Sequence, residues 1–586
     1  MKNIIKLFKE IDKIYPHFSL RIMLLNIILG LIPLLYIIAP KLIIEELMGN
    51  KRLSYILFIG GLVLVSDFFK QIISRILTNT VSLIFEGTID VLLFKLSEKS
   101  LRLPIEKSDS KNVQDMMEKA HYAIFEMYEF YDFLVIILST TITGIFSLFV
   151  LLSLNPFVAL IIVFLYFINK NIVEKIKANE LKYQENNAPQ IRAYRFFLNF
   201  SSDHRYFKDV ETYEAQELVL KKAGKFQDGM VRTSTEYFNK NGIYTGIMNI
   251  FSNLSIVSTL IYMTYKLVSD AISLANFTLY FNSLVQMINA VNLILQKYAK
   301  IISLNSQLKT YFDFLDLEEG LLDKGDVKDI DLSQVKISFD DVSFKYPKSE
   351  NYVLRHTSFE IDNGETVALV GKNGAGKSTI VKLLCKFYEP TDGAIYLNDI
   401  NIKDIDTQTY YKILSPTFQD FRLFPFRISE NINSKLLDNI DKNERAKMDK
   451  SFKLINIDKW IDKQVEGSDT YLTYLFSDKS VEPSGGIGQK LALSRSMVHE
   501  GKFFIMDEPT SALDPRSEEE IFKKMLQISK GQTSLFISHR LSSTKYADRI
   551  IVCDDKKIVE SGSHKDLINN KGLYEKMFKT QADLYK

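Results

Sequence analysis

The residues GKNGAGKST, at positions 371–379, decide how the second half of this chain folds. They fit the pattern G-x-x-x-x-G-K-[ST], in which glycines let backbone N–H groups converge on phosphate oxygens, a lysine adds charge and a hydroxyl holds Mg²⁺. The β-rich run ETVALV precedes them, and IVKLLCKFY, with apolar residues at helical spacing, follows. This order of strand, loop and helix predicts a phosphate-binding loop. Its residues are Gly371, Lys372, Asn373, Gly374, Ala375, Gly376, Lys377, Ser378 and Thr379.

Bulk composition narrows the class of protein. A chain of 586 residues is long enough for at least two domains. With 73 basic and 71 acidic residues, its net charge of +2 gives no field that attracts nucleic acid, and we predict no nucleic-acid partner. Cys385 and Cys553 occupy apolar contexts and predict neither a disulfide framework nor a metal cluster. The basic, amphipathic N-terminus lacks a small-residue cleavage site, which favours a cytoplasmic lead-in helix over a signal peptide.

Apolar stretches in the first half predict a six-helix membrane domain, because about 20 apolar residues in a helix cross a bilayer core. The predicted spans lie near 20–44, 54–78, 129–153, 156–175, 243–266 and 274–298. Short connections follow the first, third and fifth spans, whereas long loops rich in charge follow the second and fourth. Loops rich in Lys and Arg belong on the cytoplasmic side. Both chain ends are therefore expected in the cytoplasm.

The two long loops keep helical spacing and predict cytoplasmic extensions of the membrane helices. Their tips, near 108–116 and 203–210, either dock on the second half of the chain or end solvated hairpins without a partner. From residue 335 onward, β-rich runs alternate with helical patterns, which predicts an α/β domain with an antiparallel β subdomain. We expect a membrane domain over 1–318, an acidic linker over 319–334 and the α/β domain over 335–586.

Two further strings follow the phosphate loop, FFIMDEP at 503–509 and SLFISHR at 534–540. With the six spans and two long loops before them, they make nearly the whole chain resemble half-transporters of the exporter type among the ATP-binding cassette (ABC) transporters. The resemblance implies the type I/IV exporter fold, with the α/β domain as its P-loop ATPase cassette. It also implies that the chain binds ATP and Mg²⁺ and couples ATP hydrolysis to transport.

The resemblance assigns roles to residues of the cassette. Tyr346 matches the aromatic residue on which adenine stacks, and Gln419 matches the glutamine that reaches Mg²⁺ and the attacking water. Asp507, at the end of an apolar strand, is placed to hold Mg²⁺ through water, together with Ser378. Glu508 is the expected general base.

Further matches follow later in the chain. His539 resembles the switch histidine that contacts the γ-phosphate, and Asp514 resembles the loop aspartate that communicates between paired cassettes. Ser484, Gly485 and Gly486 match the signature segment and begin a helix, whose N-terminal dipole favours an anion. In this family the signature contacts ATP bound by a partner cassette, so the resemblance implies a dimer.

The signature departs from the family pattern at its first and fifth positions. The family usually has Leu-Ser-Gly-Gly-Gln, but this chain has Pro483 and Ile487 at those positions, and Gly488 follows in the first helical turn. Heterodimeric members often carry an altered signature on the subunit that keeps the catalytic glutamate. We expect two identical chains to pair, and a heterodimer stays an alternative.

Polar residues inside the spans bear on the cargo. One face of the sixth span carries Asn282, Gln286 and Asn289, and one face of the fifth carries Asn249, Ser252 and Asn253. Such residues either join helices by hydrogen bonds or line a wet cavity, and the sequence leaves both open. On the second span, Asp67 and Lys70 are one turn apart and are expected to pair with each other.

The predicted protein is a multi-pass ATPase of the bacterial plasma membrane that exports a small peptide by alternating access. Segments such as DEPTSALDP are similar to those of bacterial exporters of small peptides such as bacteriocins. No papain-like peptidase domain precedes the spans, so a cargo leader would be cut by another protein. One alternative is a lipid flippase or multidrug exporter. Another is a membrane sensor or immunity protein that binds peptide through an ATP switch without transporting it.

Overall fold

The structure is a computed structural model, and it describes most of the chain. The described residues are 2–125, 127–203, 206–319, 325–347, 349–508, 520, 522–525, 531–538 and 541–584. They divide into two compact units, and the second takes in a short piece of the first half of the chain. The first unit comprises Met1–Ser100 and Gln114–Leu317, and the second comprises Leu101–Val113 and Glu318–Lys586.

The elements of the first half of the chain are all helices among its described residues. Its helices are α1 (Lys2–Ile14), α2 (Phe18–Met48), α3 (Leu53–Arg102), α4 (Ile105–Ser108), α5 (Lys111–Phe125), α6 (Met127–Leu154), α7 (Pro156–Phe200), α8 (Phe207–Thr212), α9 (Gln216–Val268) and α10 (Leu274–Leu315). Several reach far beyond the roughly 20 residues that a bilayer core requires, which confirms the predicted helical membrane region with long extensions.

Among the described residues, 5 helices are long and apolar enough to cross a membrane. They are Phe18–Met48, Leu53–Arg102, Ile136–Leu154, Gln216–Val268 and Leu274–Lys297. They overlap the predicted first, second, third, fifth and sixth spans. The predicted fourth span, 156–175, falls in α7, where several side chains lie outside the described residues. The number of six spans stays a prediction.

Small residues let the membrane helices approach closely. A Cβ at Gly30 of α2 would lie 2.9 Å from the Cα of Ser139 on α6, and the Thr143 hydroxyl of α6 donates to the Gly30 carbonyl over 3.3 Å. Further along α6, a Cβ at Gly144 would lie 3.1 Å from the Cβ of Ala290 on α10. Backbones packed this closely associate through van der Waals contact, which is the attraction available between helices in lipid.

A polar network joins three of these helices. The Asn169 amide of α7 donates to Asn292 Oδ1 of α10 over 3.1 Å, and the Asn292 amide donates to the Ser252 hydroxyl of α9 over 3.1 Å. Ser252 therefore joins helices, whereas its predicted companions Asn249 and Asn253 are exposed in the isolated chain. Ser252 thus fits the first of the two interpretations, a residue that joins helices, while the lining of a wet cavity stays a prediction.

The expected pair between Asp67 and Lys70 is wrong. The Tyr36 hydroxyl of α2 donates to Asp67 over 2.9 Å, and the Gln71 amide donates to the same carboxylate over 3.4 Å. The ammonium of Lys70 lies 5.4 Å from the centre of the Tyr36 ring. Tyr36, on a neighbouring helix, therefore contacts both charged groups. Residue spacing along a single helix could not predict these contacts.

The described residues of the second unit form two sheets. Its strands are β1 (Ile337–Phe344), β2 (Leu354–Ile361), β3 (Thr366–Gly371), β4 (Asp392–Leu397), β5 (Ile400–Asn401), β6 (Leu414–Thr417), β7 (Phe503–Asp507), β8 (Thr533–Ile537), β9 (Arg549–Asp554) and β10 (Lys557–Gly562). The 4-stranded antiparallel sheet has the order β2-β1-β4-β5, and the 6-stranded sheet has the order β10-β9-β3-β8-β7-β6. In the larger sheet only β10 is antiparallel to its neighbour. Both predicted layers are present.

Helices cover the larger sheet, and apolar strand residues such as Val367, Leu369 and Leu535 are fully buried against them. The helices are α11 (Lys377–Leu384), α12 (Thr407–Ile413), α13 (Ile428–Asn433), α14 (Lys442–Leu454), α15 (Asp458–Ile461), α16 (Gly485–His499), α17 (Leu541–Thr544), α18 (His564–Asn569) and α19 (Leu573–Leu584). Short 3₁₀ turns occur at Leu437–Asn439 and Gly467–Asp469. Because β3, β7 and β8 are adjacent and parallel, the loops after their carboxyl ends meet at one edge of the sheet.

Residues 108–113 of the first loop tip are part of the second unit. Asp109, between α4 and α5, accepts a hydrogen bond of 2.9 Å from the hydroxyl of Tyr388, which follows α11. Lys107 lies 3.2 Å from the carboxylate of Glu318. The second tip belongs to the first unit, and its residues 204–205 lie outside the described part of the chain.

Candidate active site

The phosphate loop lies between β3 and α11. Gly374 and Gly376 have φ values of 79° and 99°, in the left-handed region that side chains other than glycine's disfavour. Gly376 is also sterically confined, because a Cβ there would lie 2.5 Å from Leu354 Cδ2. The loop can therefore turn back towards the first residue of α11, Lys377.

Lys377 closes this loop on itself. Its side chain is buried, and its ammonium donates to the Gly371 carbonyl over 2.9 Å and to the Lys372 carbonyl over 3.0 Å. Burial lowers the pKa of Lys377, while the charges of Glu508 and Asp507 oppose that shift. The cation is thus held beside the open backbone of the loop, where it can meet a phosphate.

The other loop residues divide into anchors and exposed positions. Ala375 and Thr379 are buried, and the ammonium of Lys372 lies 3.3 Å from Asp554 at the end of β9. Asn373 and Ser378 are exposed. The loop is therefore fixed from behind while its front face stays accessible.

Tyr346 lies next to the loop. Its hydroxyl is 3.2 Å from the Thr379 hydroxyl, and its ring meets the rings of Phe344 and Tyr388 edge to face at 5.0 and 5.3 Å. The ammonium of Lys382 lies 5.2 Å from the centre of the Tyr346 ring. This half-buried aromatic surface is suited to stacking against a flat heterocycle.

Asp507 ends β7 in a buried position beside the loop. Burial, followed by the charges of Glu508 and Asp420, raises its pKa to about 6, against the lowering effects of Lys377 and a Ser378 hydrogen bond. Among the described residues, its Oδ1 atom has no hydrogen-bond partner. A buried carboxylate oxygen without a partner is costly unless a cation binds it. Together with the Ser378 hydroxyl, it fits the oxygen ligands that Mg²⁺ prefers.

Glu508 is fixed at three separate atoms. Its N–H donates to the Ile537 carbonyl of β8 over 3.2 Å, and its carboxylate accepts from the Gln419 amide over 2.9 Å. Its own carbonyl accepts from the Gln489 amide of α16 over 3.2 Å. These contacts hold Glu508 at a φ of 48°, a left-handed conformation that costs a non-glycine residue about 1–2 kcal/mol. Strain of this kind is concentrated at functional sites.

The signature segment begins α16. The Ser484 hydroxyl caps the helix by accepting from the Ile487 N–H over 3.5 Å. Ser484 and Gly485 are exposed and Gly486 is half-buried, so this helix end is open to another molecule. Among the described residues, no hydrogen bond joins these three to the phosphate loop.

Of the two signature departures, Ile487 has a local explanation. Ile487 is half-buried and packs against the apolar core beneath α16, a position in which a polar side chain would lose its solvent. Gly488 is buried, and a Cβ there would lie 3.6 Å from Leu423 and Phe421, an ordinary contact distance. The helix still begins at Gly485, with Ile487 and Gly488 in its first turn.

Comparisons with known proteins agree with this geometry. Residues 354–511 match the family model described as ABC transporter. Over 585 residues the chain is 28% identical to the subtilin transport ATP-binding protein SpaT of Bacillus subtilis, covering 98% of this chain and 94% of that protein. It shares its fold with a bacterial Atm1-family ABC exporter solved with ATP bound, at a TM-score of 0.78 and 22% identity over 96% of this chain and 97% of the other. This chain is an ABC exporter half-transporter.

Other relatives of this ABC exporter match a shorter part of the sequence. It is 31% identical to the ATP-dependent lipid A-core flippase of Haemophilus ducreyi over 382 residues, 64% of this chain and 63% of that protein. The chain thus spans less than two thirds of the flippase. As an ABC exporter, the protein uses ATP and Mg²⁺, couples ATP hydrolysis to transport, crosses a bacterial membrane several times and acts as a dimer.

The predicted site residues of the exporter fall into three groups. The phosphate loop, Tyr346, Asp507, Glu508 and Gln419 are linked by the contacts described above. The signature residues begin α16, and in the described part of the chain the Gln489 amide joins that helix to Glu508. His539 and Asp514 lie outside the described residues.

Gln489 is the site residue that sequence reasoning missed. It is buried, and its amide reaches the carbonyl of Glu508, 19 residues further along the chain. It lies in the string GGIGQK, where its helical position alone does not distinguish it from a core residue. Only the packing of α16 beside the end of β7 reveals the contact.

Proposed function

We propose that this exporter moves a small peptide from the cytoplasm outward. The carrying observation is the breadth of the match: the alignment with the subtilin transporter spans 98% of this chain and 94% of its relative, whereas the flippase alignment spans 63% of that protein. Cargo is recognised by the membrane region. A relative that matches this chain over both the membrane region and the cassette is therefore the better guide to cargo. We place the membrane domain at 1–318, the linker at 319–334 and the cassette at 335–586.

In the proposed site, each group acts on ATP in a defined way. Lys377 and the loop amides bind the phosphates, and Tyr346 stacks against adenine. Ser378 and Asp507 hold Mg²⁺, which neutralises phosphate charge when bound. Glu508 removes a proton from the attacking water, and Gln419, whose amide donates to that carboxylate, orients the water and would be a further ligand for Mg²⁺.

The residues outside the described part complete this proposal. His539 contacts the γ-phosphate and stabilises the charge that develops during hydrolysis, and Asp514 links the two cassettes of a dimer. Both assignments rest on the order of motifs, in which SALD follows Glu508 and ISHR follows the apolar run of β8.

The proposed dimer places a signature segment against each nucleotide. Ser484, Gly485 and Gly486 begin a helix that is open at its N-terminus, and such an end attracts a phosphate through backbone N–H groups and the helix dipole. Among the described residues, this helix end makes no hydrogen bond to the phosphate loop of its own chain. It is therefore available to bind ATP held by the partner. We favour two identical chains, and the changes at Pro483 and Ile487 keep a heterodimer as the alternative.

Exposed amides in the membrane helices support a peptide as cargo. Asn249, Asn253 and Asn289 are exposed in the isolated chain, although they lie in apolar helices. Amides facing lipid would lack partners, whereas amides facing a wet cavity can bind peptide groups. The charged loops after the second and fourth spans support a cytoplasmic cassette and cytoplasmic chain ends in a bacterial plasma membrane.

A lipid cargo is the second candidate, favoured by the 31% identity to the flippase. Transport in proteoliposomes separates the candidates. Purified exporter, with ATP outside, would be offered a labelled cationic peptide, a fluorescent phospholipid or a dye, and Glu508→Gln protein would serve as the inactive control. ATP-dependent accumulation of peptide alone supports the proposal. Phospholipid or dye movement without peptide uptake would replace it, and peptide binding without accumulation would favour the sensor.

A further inference from the structure

We propose that Gln489 is a positioning residue for ATP hydrolysis, which ties the signature helix of one chain to Glu508 of the same chain. The inference rests on the proposed role of Glu508 as the base. It goes beyond that role by naming the group that fixes the backbone of the base, and by connecting the two nucleotide sites of the dimer.

The first step concerns how Glu508 is held. Its carboxylate can point at an attacking water only if its backbone keeps the left-handed φ of 48°. The Ile537 carbonyl fixes the N–H side of the residue, and the Gln489 amide fixes the carbonyl side. Removing the Gln489 donor frees the carbonyl side to rotate, and the carboxylate moves with it.

The second step concerns the surroundings of Gln489. The side chain is 2% exposed, so its amide exchanges no bond with bulk water, and loss of its N–H leaves the Glu508 carbonyl without that buried donor. Gln489 thus provides a contact that solvent cannot replace. Because Gln489 lies in the first turns of α16, the position of this helix determines where the Gln489 amide lies.

The third step concerns the partner's nucleotide. Gln489 lies just over one helical turn beyond Ser484, which caps the same helix and is exposed for a partner's ATP. A helix moves as a rigid element over so short a distance. ATP bound in the partner's site would therefore affect the position of Glu508 through α16 and Gln489. Each chain would then hydrolyse its own ATP fastest when its signature segment contacts the partner's ATP.

The test compares Gln489→Met with Gln464→Met in the full-length dimer. Methionine keeps the length of the side chain but cannot donate. Gln464 is a matched control, because its amide also donates to a backbone carbonyl, that of Trp460 over 2.7 Å, at a distance from the site. We expect Gln489→Met to lower kcat at least tenfold, to leave the KM for ATP within twofold, and to reduce the Hill coefficient for ATP towards 1. Gln464→Met should change none of these.

Gln489→Asn carries the same expectation if the methionine variant does not fold, since the shorter amide fits the space but cannot reach the carbonyl. The inference fails if a folded variant keeps kcat within twofold, or if kcat and ATP affinity fall together. It also fails if the Hill coefficient does not change. Glu508→Gln separates the two proposals: full turnover in that variant would refute the base itself, whereas an inactive Glu508→Gln with an unaffected Gln489→Met would refute this inference alone.

Discussion

Replacing Asp507 by asparagine should stabilise the exporter when nucleotide and Mg²⁺ are removed. Burial and the neighbouring acids raise the pKa of Asp507 from 3.8 to about 6, so its ionised form is disfavoured in the folded cassette. At pH 7.5 the carboxylate must nevertheless be ionised. Because each pKa unit is worth about 1.4 kcal/mol, this costs the folded state about 3 kcal/mol. Asparagine carries no charge and avoids that cost.

The pH dependence follows from the direction of the shift. The folded state binds the Asp507 proton more tightly than the unfolded state does, so the destabilisation appears as pH rises above 3.8 and is complete above about 6. The advantage of Asp507→Asn should therefore be about 3 kcal/mol at pH 7.5, about half as large at pH 5, and close to zero near pH 3.8.

The single tryptophan of the chain makes this measurable. Trp460 lies in the cassette and packs against its core, so its fluorescence during urea unfolding of the full-length protein reports the cassette. The unfolding would be followed in detergent with a chelator present. Asp449→Asn, an exposed carboxylate on α14, serves as the control and should change little. An Asp507→Asn protein that is no more stable than the unmutated one at pH 7.5, or that gains equally at pH 5, would refute the reasoning. With Mg²⁺ and ATP added, the unmutated protein should gain more stability than the variant.

Four further substitutions probe other parts of the cassette. Glu508→Gln should lower turnover about 10²- to 10⁴-fold while ATP affinity stays within twofold, and unmutated turnover would contradict the base assignment. Gly374→Ala should weaken ATP binding by about 1–2 kcal/mol because of the positive φ at that position alone. Gly376→Ala should weaken it further, because the added Cβ would also collide with Leu354. Calorimetry that gives both variants the same ATP affinity would contradict this. Tyr388→Phe removes the bond to Asp109, worth about 1.5–3 kcal/mol, and should reduce cargo-stimulated ATPase activity without changing ATP affinity; undiminished stimulation would count against it.

Local patterns were enough to predict the elements whose information is contiguous. The phosphate loop lies between a strand and a helix that are adjacent in sequence, and β7 and β8 are short apolar runs that end at polar residues. Apolar stretches of sufficient length likewise predicted the membrane helices. In each case the residues that form the helix, strand or loop also carry the sequence pattern from which it was predicted.

Contacts between distant segments were not predictable in this way. Asp67 accepts a hydrogen bond from Tyr36 of another helix, and the Gln489 amide donates to a carbonyl 19 residues away. That residues 101–113 belong with the cassette was one of two alternatives that the sequence left open. Helical or strand spacing describes one element at a time, and it does not say which elements become neighbours. The fold decides these contacts, and some of them bear on function.

The bond between Tyr388 and Asp109 has a practical consequence for engineering chimeric transporters. A graft that exchanged cassettes by cutting at the linker alone would leave Asp109 with the recipient and carry Tyr388 with the donor. The ring of Tyr388 also contacts that of Tyr346. Loss of the hydrogen bond between Tyr388 and Asp109 would therefore disturb the aromatic surface next to the phosphate loop. Interchangeable modules of this protein should therefore be defined in two pieces, with Leu101–Val113 travelling together with the cassette.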